Sequence, residues 1–166
     1  MYAFMTSGTY LFLTNLTKKN PNTNIHLMQE GLKTVAYYEA SKNKSLFKMG
    51  RSYRIMFSIG DIAPTGLITM NSIPVLEDGQ KSFEENYSAN NQTFMLMPGF
   101  VSYRLLKPLK NHIYILLIQW ESERYYKYWI ESDSYKHSHF ATNTRLPPYF
   151  ADRPFFQKYS LINSEG

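Results

Sequence analysis

The chain has 166 residues, of which 43% are hydrophobic and 16% aromatic, so it can bury a core in one large or two small domains, and its composition excludes disordered and fibrous classes. It contains no cysteine, which excludes disulfides, thiolate metal sites and cysteine nucleophiles. The formal net charge is +5, but Lys and Arg are scattered, so we expect neither nucleic acid nor a membrane as partner.

The beginning of the chain, MYAFMTSGTYLFL, has no basic region, and polar residues interrupt its apolar ones, so it does not resemble a signal peptide. The longest fully apolar run, residues 113–118, is about a third of a membrane span. We therefore expect a cytoplasmic protein.

The first half predicts a strand, a helix and two further strands. These are, in order, YAFMTS, TYLFLTNLTKK, IHLMQEG and TVAYYEA. The segment LFKMGRSYRIMFSIG (46–60) then takes the place of a shortened second helix and a last strand.

The second half is patterned more clearly. GLITMNSIPV (66–75) predicts a strand, and residues 77–92 predict a helix with Phe83 and Tyr87 on one edge. Three strands and a helix follow, in the segments VSYRLLKP, IYILLIQW, SERYYKYWIES (the helix, with Ser122 as N-cap) and FFQKYSLI. The order is β-α-β-β-α-β, and the first half repeats it faintly. This predicts an α+β, ferredoxin-like fold with an internal duplication.

The segment WIESDSYKHSHF (129–140) contains one of the two tryptophans and two of the four histidines. On one unbroken helix, Trp129 and His139 would lie about 15 Å apart and point about 80° away from each other. Ser132 has N-cap chemistry, so we predict a break there and a second short helix over 133–141. The break can return His139 towards Trp129.

Each candidate residue also has an ordinary structural interpretation. Trp129 fits a packed core, and a histidine near a helix end fits the surface. Asn71 fits an Asx turn ahead of Pro74. Taken singly, none of the three indicates a site.

The segments PGFVSYRLLKP and IYILLIQWESERYYKYWIESDSYKHSH resemble the antibiotic biosynthesis monooxygenase (ABM) superfamily. Its Trp-Trp-Ser spacing is met by Trp120, Trp129 and Ser132. The chain resembles the heme-degrading branch, above all the two-half Bacillus-type heme monooxygenases, and is also similar to the staphylococcal TRAP proteins. Heme-degrading members share an Asn on the first strand, a Trp on the later helix and a His ten residues later, and Asn71, Trp129 and His139 match this triad.

The resemblance implies a dimeric α/β-barrel type of fold. A degenerate, structural N-terminal half (1–65) and a complete ABM half (66–162) would close one pseudo-dimeric barrel within a monomer. It further implies a heme-degrading monooxygenase that uses O2 and an external electron donor, such as a reductase, to release iron and an open tetrapyrrole. His139 would be the axial ligand of the heme iron, Trp129 would distort the porphyrin, and Asn71 would hydrogen-bond an oxygen on iron.

Three alternatives remain open. His137 lies where relatives often have a small residue, so either histidine is a candidate iron ligand. A non-enzymatic, TRAP-like regulator or heme carrier would share the fold without turnover. A cofactor-independent ABM oxygenase would act on a phenolic substrate instead of heme.

Overall fold

The structure is a computed structural model that describes residues 1–88, 92–138, 140 and 147–162. It confirms an α+β, ferredoxin-like architecture built around one closed β-barrel. The eight strands are β1 Tyr2–Gly8, β2 His26–Glu30, β3 Lys33–Ala40, β4 Arg51–Ile59, β5 Leu67–Pro74, β6 Phe100–Pro108, β7 Ile113–Trp120 and β8 Phe155–Leu161. The α-helices of the described part are α1 Tyr10–Lys19, α2 Gln80–Asn86, α3 Glu123–Ile130 and α4 Asp133–Lys136.

The same strand order occurs in both halves of the barrel. Around the barrel the order is β1-β3-β2-β8-β5-β7-β6-β4. Each half therefore places its first strand between its fourth and third, with its second beyond the third. The halves join where β2 pairs with β8 and β4 pairs with β6, all antiparallel. A single chain closes the barrel, so no strand of the second half depends on another copy for its partner.

The barrel separates three packed cores. One fills the interior with side chains from all eight strands, including Met70 of β5 and Leu117 of β7. A second lies outside β1–β3 under α1. The third lies outside β5, β6 and β7 under the helices of the second half and contains Ile73, Leu116 and Trp129. Successive side chains of β5 therefore point alternately to the barrel interior and to the helix-covered outer face.

Two helix predictions are wrong in extent. Within residues 46–60, which were predicted to hold a shortened second helix and a last strand, the strand is present as β4 but the helix is absent. Phe47 instead packs into the core beside α1, and the loop lies against the backbone of β1. The helix predicted over 77–92 is a 3-10 turn, Glu77–Gly79, followed by the short α2, although Phe83 and Tyr87 are buried as expected.

The turn before β6 packs closely against α3. Gly99 has φ of +81°, and a Cβ at this position would lie 2.1 Å from the ring of Tyr125. Glycine is required there both by its dihedral angle and by the close approach of the helix. Among the described residues, no helix combines the length and hydropathy needed to cross a bilayer.

Candidate functional site

Asn71 lies in the middle of β5 on the outer, helix-covered face of the barrel. It shares this face with Ile73, while Met70 points to the barrel interior. Its neighbours across the two adjacent strands are Leu116 and Phe156. The side chain is half-buried, and within the described residues its carboxamide makes no hydrogen bond. Asn71 therefore presents unused hydrogen-bonding groups on the face where the predicted site lies.

Trp129 belongs to the core on that same face. Only 2% of it is exposed. Its ring lies 5.4 Å from Trp120, 4.9 Å from Tyr135 and 5.6 Å from both Phe94 and Phe140, measured between centroids. The indole N–H groups of Trp129 and Trp120 are buried, and neither has an acceptor among the described residues. Trp129 is thus enclosed by aromatic rings, two of which, Tyr135 and Phe140, follow it in the chain.

Two further rings connect Asn71 to Trp129. Phe156, the β8 neighbour of Asn71, stacks on Tyr126 with centroids 5.7 Å apart and planes inclined by 16°. Tyr126 in turn lies 6.5 Å from Trp129, one helical turn along α3. The structure therefore places Asn71 and Trp129 on the same outer face of the barrel, with the Tyr126–Phe156 pair between them.

The predicted break at Ser132 is confirmed. The Ser132 hydroxyl accepts a hydrogen bond from the Tyr135 N–H (3.2 Å) and donates one to the Trp129 carbonyl (2.5 Å). One side chain thus ends α3 and caps α4. The predicted extent of the second helix, 133–141, is wrong, because α4 ends at Lys136 and the Ser138 hydroxyl bonds the Tyr135 carbonyl in a turn.

Only one of the two histidines of the segment 129–140 lies within the described residues. His137 is exposed, and its Nδ1 lies 2.8 Å from the Asp133 carbonyl oxygen, so one ring nitrogen is engaged at the end of α4. His139, the predicted iron ligand, lies outside the described residues. Elsewhere in the described chain, no cluster of three or more His, Asp or Glu side chains is arranged to hold a metal ion.

The site has a polar edge that sequence reasoning missed. Lys158 of β8 pairs with Glu123 at 2.5 Å, and its ammonium group lies 6.0 Å from the ring centroid of Tyr126. Burial, together with the Tyr135 phenol and the Glu123 carboxylate, raises the pKa of Tyr126 to about 12. Burial also raises the pKa of Tyr135. Both phenols therefore stay neutral at physiological pH and can donate hydrogen bonds.

Only some residues of this polar edge could be predicted from the sequence. Tyr126 and Tyr135 lie three residues before and six after Trp129, spacings that a helical projection can relate to it. Phe156 and Lys158 come from the last strand, and their place beside Asn71 follows from strand pairing. A separate open groove of about 690 Å³ lies along α3, and neither Asn71 nor Trp129 lines it.

Comparison with known proteins points to one family. Residues 66–140 match the model of the antibiotic biosynthesis monooxygenase family. The chain is 27% identical over 129 residues to a heme-degrading monooxygenase of Listeria monocytogenes, covering 78% of this chain and 77% of that one. It is 26% identical over 156 residues to the signal transduction protein TRAP of Staphylococcus aureus, covering 92% of each.

Among solved structures, a major regulator of staphylococcal pathogenesis has a TM-score of 0.84 at 22% identity, covering 98% of this chain and 99% of that one. At this identity the likeness concerns the fold alone. Residues 66–140 are thus similar to the ABM family, and the chain is similar both to a heme-degrading enzyme and to a signalling protein.

Proposed function

We propose that this ABM-domain protein is a heme-degrading monooxygenase whose substrate lies against the outer face of β5 and β8, beside α3 and α4. The observation that carries the proposal is the arrangement of Asn71 and Trp129 on one face of the barrel, linked by the stacked rings of Tyr126 and Phe156. The similarity to the Listeria enzyme supports the same substrate.

The chemistry of these side chains suits heme. A porphyrin is a flat apolar plate with two propionate carboxylates at its edge. Tyr126, Phe156 and Trp129 offer aromatic surface, and the Asn71 amide is a half-buried group without a partner among the described residues. Lys158 lies at the edge of this surface and is 40% exposed, and an anionic group that approached it would compete with its partner Glu123.

Direct contact between porphyrin and indole requires a local rearrangement. Tyr135 and Phe140 pack edge-on against Trp129 and leave 2% of it exposed. Tyr135 belongs to α4, which Ser132 caps, and Phe140 lies four residues beyond the end of that helix. In the proposed complex these two rings withdraw, and heme takes over the aromatic contacts that they make.

Each residue of the triad has a separate role. Heme, when bound, supplies the iron at which O2 reacts, with electrons from an external reductase. The His139 imidazole would be the protein base that holds the iron. Trp129 would offer a rigid plane that presses on the macrocycle, and the Asn71 amide would donate a hydrogen bond to the reacting oxygen without supplying an acidic proton. The products are an open tetrapyrrole and released iron.

A second candidate function is a TRAP-like regulator or heme carrier. The similarity to the staphylococcal signalling protein, which covers 92% of both chains, favours it over unrelated classes. It shares the barrel with the enzyme and differs in the absence of turnover.

Incubation of the protein with hemin, ascorbate and catalase tests the proposal. We expect the Soret band to disappear while a ferrous chelator reports released iron. Asn71→Ala should slow this decay at least tenfold, whereas Asn15→Ala, which removes an exposed amide from α1, should not change it. A Soret band that stays intact with bound heme would favour the carrier. Absence of heme binding would overturn both the enzyme and the carrier and would leave the non-enzymatic regulator.

A further inference from the structure

The net charge of the protein resides in its first half. Residues 1–65 contain eight Lys and Arg against three acidic residues, whereas residues 66–166 contain ten of each sign. Three exposed lysines lie in the loop 41–50, and two more end α1. They are Lys42, Lys44, Lys48, Lys18 and Lys19. The three ion pairs found within the described residues involve none of them.

Large apolar side chains protrude from the same two segments. Leu11 and Phe12 of α1 are 70% and 62% exposed, and Leu46 and Met49 of the loop are 41% and 84% exposed. We call these four residues the apolar tip. Exposed apolar residues are ordinary when scattered, but a group that gathers on one surface indicates an interaction site.

The outer face of β1 brings the two segments together. Thr6 donates a hydrogen bond from its hydroxyl to the Met49 carbonyl (2.6 Å). Gly8 lies two residues further on the same face, and a Cβ at this position would be 3.5 Å from Phe12 Cδ1. The Met49 carbonyl and the Phe12 ring therefore lie over positions two residues apart on β1, about 7 Å along the strand.

The loop is anchored so that its apolar residues point outward. Phe47 is buried and lies 5.2 Å from the Tyr38 ring, and the Leu46 N–H donates to the Tyr38 hydroxyl (2.7 Å). The residues on both sides of this anchor, Leu46 and Met49, are then exposed together with the lysines.

We propose that the apolar tip and its lysines bind the surface of an anionic lipid bilayer. Leu11, Phe12 and Met49 insert among the headgroups, and the lysines lie against lipid phosphates. This revises the expectation of no membrane partner, which rested on the scatter of basic residues along the sequence.

The composition of the surface favours a membrane over other anionic partners. Protein interfaces are enriched in Arg and depleted in Lys, whereas the five cations of the loop 41–50 and the end of α1 are all lysines. A soluble polyanion would use the charge but would leave the protruding apolar side chains without a role. A bilayer of anionic lipid uses both.

Co-sedimentation with vesicles tests the proposal. The full chain should sediment with vesicles of phosphatidylcholine containing one-third phosphatidylglycerol, and not with phosphatidylcholine alone. Binding should weaken at high salt, because lysine–phosphate attraction is screened. Binding to both vesicle types alike, or to neither, would overturn the proposal, as would binding to DNA or polyglutamate in preference to vesicles.

Paired variants locate the surface. Phe12→Ser with Met49→Ser should lower the vesicle partition coefficient about tenfold or more, and each of Lys44→Gln and Lys48→Gln about fivefold. Leu96→Ser, which removes an 84% exposed leucine from the second half, is the matched control and should bind as the unmodified chain does. If the tip variants bind as tightly as this control, the apolar tip is not the binding surface.

Discussion

Phe156 of β8 stacks on Tyr126 of α3 with ring centroids 5.7 Å apart, directly beside Asn71. The pair joins the last strand of the chain to the helix that carries Trp129. It therefore closes one side of the surface on which we propose that heme binds, and it does so with two rings separated by about thirty residues in sequence.

The stacked pair should contribute to heme affinity. Phe156→Ala removes half of the stack, and we expect the dissociation constant for hemin to rise about tenfold through lost aromatic contact. Absorbance titration with hemin measures this. Phe155→Ala is the matched control, since Phe155 is 47% exposed against 43% for Phe156 but is the next residue along β8 and points to the other face. Equal losses in the two variants would contradict the assignment.

The cap at Ser132 should matter more than the one at Ser122. Both serines precede a helix, but only Ser132 accepts a hydrogen bond from the helix backbone. We expect Ser132→Ala to lower the free energy of unfolding by about 1 kcal/mol and Ser122→Ala by less than about 0.5 kcal/mol. Urea unfolding measures both. If Ser122→Ala is the more costly change, the break between α3 and α4 is held by something other than this side chain.

Gly99 should tolerate no side chain. Gly99 and Gly31 both have positive φ, +81° and +59°, but a Cβ at Gly31 would meet nothing within 4 Å, whereas at Gly99 it would meet the Tyr125 ring. Gly31→Ala should therefore cost about 1 kcal/mol for the backbone alone. Gly99→Ala should cost about 2–4 kcal/mol, because α3 must shift as well. Similar losses on denaturant unfolding would show that α3 accommodates the methyl group freely.

Stability should fall at alkaline pH, partly through Tyr126. Its pKa is raised from 10.0 to about 12, chiefly by burial, so the folded state holds the phenolic proton more tightly than the unfolded state. The resulting stabilisation is fully present below pH 10 and is lost as the pH rises through about 12. Urea unfolding across this range should show a smaller decline for Tyr126→Phe. Tyr128→Phe removes a 58% exposed phenol from the same helix and should leave the decline unchanged.

The strands were predictable because their signals are local. The segment 113–120 forms β7, within a barrel whose interior and outer face both need apolar side chains. The break at Ser132 was predictable for the same reason, since an N-cap depends on residues three positions apart. The shortened helix predicted within residues 46–60 was not found. Phe47 packs against Tyr38, and such a tertiary contact cannot be read from the local sequence.

The candidate site likewise contains residues that can be predicted from the local sequence and residues that cannot. The spacing of Trp129 from His139 and the strand position of Asn71 can be read along the chain. Phe156 and Lys158 cannot be assigned in this way, because β8 reaches Asn71 only through the closure of a barrel from both halves. The enclosure of Trp129 by Phe94, Tyr135 and Phe140 likewise follows from packing of distant segments. The role of residues 1–65 as a structural half stays a prediction.

The central claim is that one histidine, His139, holds the heme iron beside Asn71 and Trp129. The most direct measurement is the absorption spectrum of the hemin complex in the His139→Ala and His137→Ala variants. We expect His139→Ala to lose the spectrum of the histidine-ligated heme that the unmodified chain shows. His137→Ala should keep it, because the His137 ring already bonds the Asp133 carbonyl. An unchanged spectrum in His139→Ala would contradict the claim.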